Sequence, residues 1–180
     1  MKGKNAIYSV LTTGPGFAIW EYAIMTLADF TEPALLVAEL LHERQESAIA
    51  ELSIRLAHAG RVNNARAYTR AVLDHEALVS TVFDGIGFSL ARGRTARELS
   101  FAIGLSEFGI RWSNRQAPPV FAVVLFAIPD SAERTYMSLI MTFAKLLKDE
   151  AFLSALCQSK QPEEMFDLLA QASFGNPAHD

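Results

Sequence analysis

The groups in this chain that could do chemistry are few and scattered. Four histidines stand at positions 42, 58, 75 and 179, with no short ligand spacing between them. Asp74-His75-Glu76 places three polar groups in a row, but successive helix residues point in different directions. No metal site is expected from such a set. Gly85-Ile-Gly87 has Leu90 where a third glycine would be required, and it lacks a strand–turn–helix context. No cofactor is expected. The single cysteine, Cys157, excludes an internal disulfide; in its apolar helical stretch it reads as packing, not as a nucleophile. Ser80-Thr81 follows a helical segment, where it either holds an anion or simply ends the helix.

The elements that must position these groups come from a chain of 180 residues, about the size of one domain. At 51% hydrophobic and 20% charged residues it is too apolar to be disordered. Its longest apolar run, Val120–Ile128, is nine residues. A membrane-spanning helix needs about 20, so no membrane insertion is expected. Sixteen basic against 20 acidic residues give a net charge of −4, the wrong balance for a nucleic-acid partner. One local exception is the stretch 92–120. Arg92, Arg94, Arg97, Arg111 and Arg115 face only Glu98 and Glu107 there, five minus two, or +3. Either this forms a basic surface, or the arginines are spread over loops and strand ends.

Hydrophobic periodicity predicts the order of elements. Leu35–Leu40 reads as a short strand after Pro33. Residues 47–59 read as a helix with Ile49, Leu52 and Leu56 on one face and Gly60 as its stop. Asn63 or Asn64 caps a second helix, with Tyr68 and Val72 inward, ending near Leu78. Ile86–Leu90 and Leu99–Leu105 are strands joined by the arginine-rich loop. Val120–Ile128, bounded by prolines, reads as a strand buried on both faces, which requires helices on both sides. Asp130 and Glu133 form a capping-box pattern ahead of a helix carrying Tyr136, Leu139, Ile140, Phe143, Leu146 and Leu147. Phe152–Leu156 is a turn or two of helix, and Pro162-Glu-Glu164 opens a last helix with Phe166 and Leu169 inward.

Residues 1–24 do not follow this order. Lys2 and Lys4 precede an apolar-leaning segment, but Gly14-Pro15-Gly16 and Glu21 interrupt it, unlike a signal peptide. The expectation is a non-core extension over 1–24, a domain over 25–172 and a loose tail over 173–180. An amphipathic segment packing Phe17, Trp20 and Ile24 on the domain is the competing reading of 1–24.

Several short stretches in this order resemble one family. They are Met25-Thr-Leu-Ala-Asp-Phe30, Ala48–Leu56 with Gly60, and Asn64–Glu76 followed by Val79-Ser-Thr81. Asp84-Gly-Ile-Gly-Phe-Ser-Leu-Ala-Arg92 follows, then Glu98-Leu99, Phe101-Ala-Ile-Gly104, Gly109-Ile110 and Trp112. Phe121–Pro129, the 131–148 helix and Asp149–Leu156 complete the set. Together they resemble the IIA components of the bacterial phosphoenolpyruvate-dependent sugar phosphotransferase system, of the fructose/mannitol and nitrogen-regulatory type. The resemblance implies an α/β fold: a three-layer α/β/α sandwich with a mixed sheet. It also implies a cytoplasmic protein.

In that family a histidine accepts phosphate from the carrier protein HPr and passes it to a IIB domain or a regulatory target. The motif reads Gly-Ile-Ala-hydrophobic-Pro-His; this chain reads Gly85-Ile86-Gly87-Phe88-Ser89-Leu90. The resemblance thus places Leu90 in the acceptor position and Ser89 in the proline position. His75 stands where an arginine precedes glutamate at the end of the second helix, and Tyr136 where a second histidine often stands. Arg92 remains as a phosphate or partner contact. No catalytic residue is then expected, because leucine has no lone pair to attack phosphorus. The expected function is regulatory binding of a protein partner, acidic and drawn from phosphotransferase-system or regulatory proteins. Two alternatives stay open. His75 could serve as a substitute acceptor, or the vacated pocket lined by His75, Ser80, Thr81 and Arg92 could bind an anion or small ligand.

Overall fold

The computed structural model describes residues 25–79, 81–112 and 118–174. The expected apolar run is the middle strand of a five-stranded sheet. Strand β5, Val120–Ile128, is buried along its length except at Phe121, which is 44% exposed. It pairs parallel with β3 (Ile86–Arg92) and antiparallel with β4 (Ser100–Ile110). The two-residue strands β1 (Leu36–Val37) and β2 (Val82–Phe83) close the edges, in the order β1-β4-β5-β3-β2. The sheet is therefore mixed.

Side chains alternate across a strand, so this sheet has two apolar faces, each covered by helices. Val123, Leu125 and Ala127 of β5 pack with Ile49, Leu52 and Leu56 of α1 (Gln45–His58) and Tyr68 and Val72 of α2 (Ala65–Leu78). Ala122, Val124, Phe126 and Ile128 pack with Tyr136, Leu139 and Phe143 of α3 (Glu133–Leu146). Leu156 of α4 (Glu150–Gln158) and Met165 and Leu169 of α5 (Pro162–Gln171) complete that side. The three-layer α/β/α expectation holds.

The local punctuation also acts as read, with exceptions. Gly60 follows α1 at φ 73°, a left-handed conformation that a side chain would strain. Asn64 caps α2 by accepting from the Ala67 amide at 2.9 Å. Asp130 is not the N-cap of α3 that the capping-box pattern predicts. A 3-10 turn, Asp130–Ala132, intervenes after Pro129, leaving Ala132 at the N-cap of α3 with no side-chain cap. The strand expected over Leu35–Leu40 is shorter, because a 3-10 turn opened by Pro33 consumes Leu35. Strand β4 runs past Leu105 to Ile110, with an irregularity in its pairing to β5 between those residues. The tail expected over 173–180 is held at its start: Ser173 bridges Thr26, and Phe174 is buried against Phe30 at a ring distance of 5.0 Å. Residues 175–180 and 1–24 lie outside the described residues, and so do both readings of the N-terminal segment.

Candidate functional site

Strand β3 carries the stretch that resembles the phosphoacceptor motif, and its alternation divides the motif between two sides of the sheet. Gly87, Ser89 and Ala91 face α1 and α2; Ile86, Phe88 and Leu90 face α3. Ser89 and Leu90 are therefore not brought together.

On the α1/α2 side Ser89 is fully buried, and its hydroxyl donates to the Glu76 carboxylate at 2.9 Å. Glu76 is itself 4% exposed. The same carboxylate accepts from the Trp112 indole N–H at 3.1 Å, the Gln45 amide at 3.4 Å and the Thr81 hydroxyl. Four neutral donors thus surround one buried carboxylate, an arrangement that offsets its loss of water. Gly87 makes the Trp112 contact possible: a Cβ there would stand 3.0 Å from the indole ring. Sequence reading missed Glu76 as a centre. The available signal was its spacing, since Tyr68, Val72 and Glu76 fall four residues apart on the buried stripe of α2.

His75, one residue earlier, is half-buried. Its Nδ1 is buried and finds no hydrogen-bond partner among the described residues. Ser80 lies outside the described residues.

On the α3 side an open groove of about 460 Å³ runs between the β2–β3 hairpin and α3. Leu90 and Tyr136 both line it, with Phe88, Ile140 and Leu147 among its apolar walls and Thr81 and Lys148 as polar members. Leu90 is half-buried: it neither stands free nor seals the cleft. Tyr136 is fixed by Phe126, ring centroids 5.9 Å apart. The Arg92 guanidinium lies over the Tyr136 ring, 5.3 Å from its centroid. Burial raises the pKa of the Tyr136 phenol, and the Arg92 charge opposes the rise. Leu90, Tyr136 and Arg92 therefore form one neighbourhood, with Thr81 touching both sides of the sheet. His75 and Ser89 are not among the groove's lining residues.

The described arginines of 92–120 do not form a single surface. Arg92 ends β3 and Arg111 follows β4, and these strands run in opposite directions, so the two lie at opposite ends of the sheet. Arg111 pairs with Glu43 at 3.3 Å. The Arg97 guanidinium donates to the Asn63 side chain at 2.6 Å, and the Asn63 amide group donates to the Arg94 carbonyl at 2.7 Å. The arginine loop is thereby tied to the α1–α2 turn. Arg115 lies outside the described residues. Among the described residues no group of three or more histidine, cysteine, aspartate or glutamate side chains could hold a metal ion. Cys157, expected inside, is exposed.

Comparison with known proteins places this geometry. Residues 30–172 match the family described as phosphoenolpyruvate-dependent sugar phosphotransferase system, EIIA 2. The 2-O-alpha-mannosyl-D-glycerate-specific EIIABC component of Escherichia coli (strain K12) is 28% identical over 164 residues, 85% of this chain and 25% of that protein. The fructose-specific EIIABC component of Bacillus subtilis (strain 168) is 25% identical over 130 residues, 72% of this chain and 20% of that protein. The chain thus spans a fifth to a quarter of these relatives' length. Among solved structures, the nitrogen regulatory protein IIA-Ntr of Neisseria meningitidis superposes with a TM-score of 0.71 at 13% identity, covering 79% of this chain and 98% of that one. IIA mannitol of Escherichia coli gives 0.66 at 19% identity, covering 78% and 99%. Both share the three-layer fold with its mixed sheet. The family match covers most of the chain and all five strands of the sheet: this protein belongs to the EIIA 2 family of the phosphoenolpyruvate-dependent sugar phosphotransferase system.

Proposed function

We propose that this chain is a IIA-type domain that does not carry phosphate and acts by binding a protein partner, with Leu90 in the acceptor's place. The supporting observation is the composition of the groove around Leu90. It contains no imidazole among its lining residues, and leucine cannot attack phosphorus. The surface around it suits protein contact instead. Phe83 is 65% exposed at one wall, and Met137 and Met141, 52% and 57% exposed, extend the apolar face of α3 outward at helical spacing. Apolar centres of this kind mark docking sites. Lys148 and Arg92 give the groove two cationic neighbours, favouring an acidic partner. The partner class is a phosphotransferase-system or regulatory protein; the solved complex of IIA mannitol with phosphorylated IIB mannitol from Escherichia coli provides the precedent. The proposed location is cytoplasmic, and no described helix is long and apolar enough to cross a membrane.

The test is incubation with enzyme I, HPr and labelled phosphoenolpyruvate under conditions that fully label an ordinary IIA protein. No histidine phosphate is expected. A second reading, with His75 as acceptor, draws on its Nδ1, which has no partner among the described residues. Acid-labile phosphate on the wild-type chain, lost in His75→Ala, would establish that reading and end the first.

A further inference from the structure

The groove has features beyond a flat docking face. Tyr136, Ile140, Ala144 and Leu147 follow one another along α3 at helical spacing and line one wall. Eleven residues of helical rise make that wall about 16 Å long. Phe83, Phe88 and Leu90 form the other wall. The polar groups are few and unequal. The Thr81 hydroxyl already donates to Glu76. The Tyr136 hydroxyl has no hydrogen-bond partner among the described residues, and the Lys148 ammonium, exposed at the far end, has no ion pair among them. A volume of about 460 Å³ lies within the range of small-molecule sites, which are mostly apolar with a few placed polar groups.

We propose that this groove binds a single acyl carboxylate, its hydrocarbon chain between β3 and α3 and its carboxylate at Lys148. The charge at that end selects the head group: an ammonium head would meet Lys148 with like charge, and an uncharged head would gain no attraction from it. The long apolar walls select the tail. Each added methylene buried is worth about a fourfold gain in affinity, so affinity rises with chain length until the wall is covered. The inference stands on the groove itself and holds whether or not the chain accepts phosphate.

The probes are octanoate, decanoate and dodecanoate, titrated calorimetrically into the full chain below the concentrations at which they aggregate. Dodecyltrimethylammonium serves as the opposite-charge control. Affinity is expected to rise about sixteenfold for each two carbons, with dodecanoate at least tenfold tighter than the ammonium compound. Lys148→Glu should abolish or invert the charge preference. Ala144→Trp, at an exposed position of α3, should fill the groove and remove binding. Absence of dodecanoate binding overturns the proposal. So does equal affinity for the two head groups, or dodecanoate binding unchanged in Ala144→Trp, which would place it elsewhere. If Ala144→Trp does not fold, the head-group comparison and Lys148→Glu still decide. Phosphoryl transfer to the chain would overturn the preceding reading and leave this one standing; failed dodecanoate binding would do the reverse.

Discussion

The two faces of strand β3 solve opposite problems with adjacent residues. On the α1/α2 side a carboxylate is taken out of water and surrounded by donors from Gln45, Thr81, Ser89 and Trp112. Every one of those groups is committed to the fold. On the α3 side Leu90 stands half-buried in an open groove whose phenol and ammonium are uncommitted among the described residues. Polar groups near a cleft are thus no guide to function by themselves. Here the polar cluster is the closed, structural side, and the apolar side is the one open to a partner.

That contrast can be broken most directly at Glu76. Removing the carboxylate orphans several buried donors at once, so Glu76→Ala should destabilise the chain by about 4 kcal/mol in urea unfolding. A loss below about 1 kcal/mol would mean the cluster is not the closed side described. Gly87→Ala tests the same face from the strand, because its methyl would press on the Trp112 ring. The expected loss is about 2 kcal/mol.

Tyr68 sharpens the comparison through pH. Its hydroxyl is buried and donates to the Phe126 carbonyl. Burial raises its pKa above the ordinary 10.0, so the folded chain keeps a proton that the unfolded chain releases above pH 10. Stability contributed this way is complete below pH 10 and falls as pH rises further, by about 1.4 kcal/mol per pH unit. Tyr68→Phe should cost about 1 kcal/mol at neutral pH and flatten the alkaline fall. Melting curves between pH 8 and 11 read both; an unchanged alkaline fall would exclude Tyr68 as its source.

On the open side the effects should be smaller for stability and larger for binding. Leu90→Asp is expected to cost about 1 kcal/mol, since the side chain is only half-buried, while removing partner binding. A loss as large as that of Glu76→Ala would show that Leu90 belongs to the core and would erase the difference between the faces. Met141→Gln, on the exposed side of α3, should change the melting behaviour by no more than about 0.5 kcal/mol.

What was legible in the sequence follows from how local each signal is. The unbroken run of β5, the stripes of α1 and α3 and the Gly60 and Asn64 punctuation are written within a few residues, and each appears as read. The strand predicted over Leu35–Leu40 is longer than β1 because its apolar residues serve different ends: Leu40 lies beyond the strand and covers Gly104, where an added Cβ would collide with the Leu40 side chain. Strand β4 was cut short because Glu107 and Phe108 are exposed beyond Leu105, where its pairing with β5 turns irregular. The spacing of α2 could have shown that Glu76 is buried, but not its partners, which lie 5, 13, 31 and 36 residues away. No spacing rule joins them; only the fold does. Cys157 shows the converse error, an apolar neighbourhood in sequence that places the thiol at the surface.

One further feature concerns the ends of the described domain. The Phe174 amide donates to the Met25 carbonyl at 2.6 Å, and Thr26 bridges Ser173. The path of the chain through residues 25–174 is therefore nearly a closed ring. A ring can be cut anywhere its backbone bonds allow, so its entry point is a matter of convenience. A short linker joining Phe174 to Met25, with new ends opened at the exposed Lys160 between α4 and α5, should give a permuted chain with the same sheet order. For the same reason the unit can sit within a longer polypeptide as an insertion, entering and leaving at one place and straining neither neighbour.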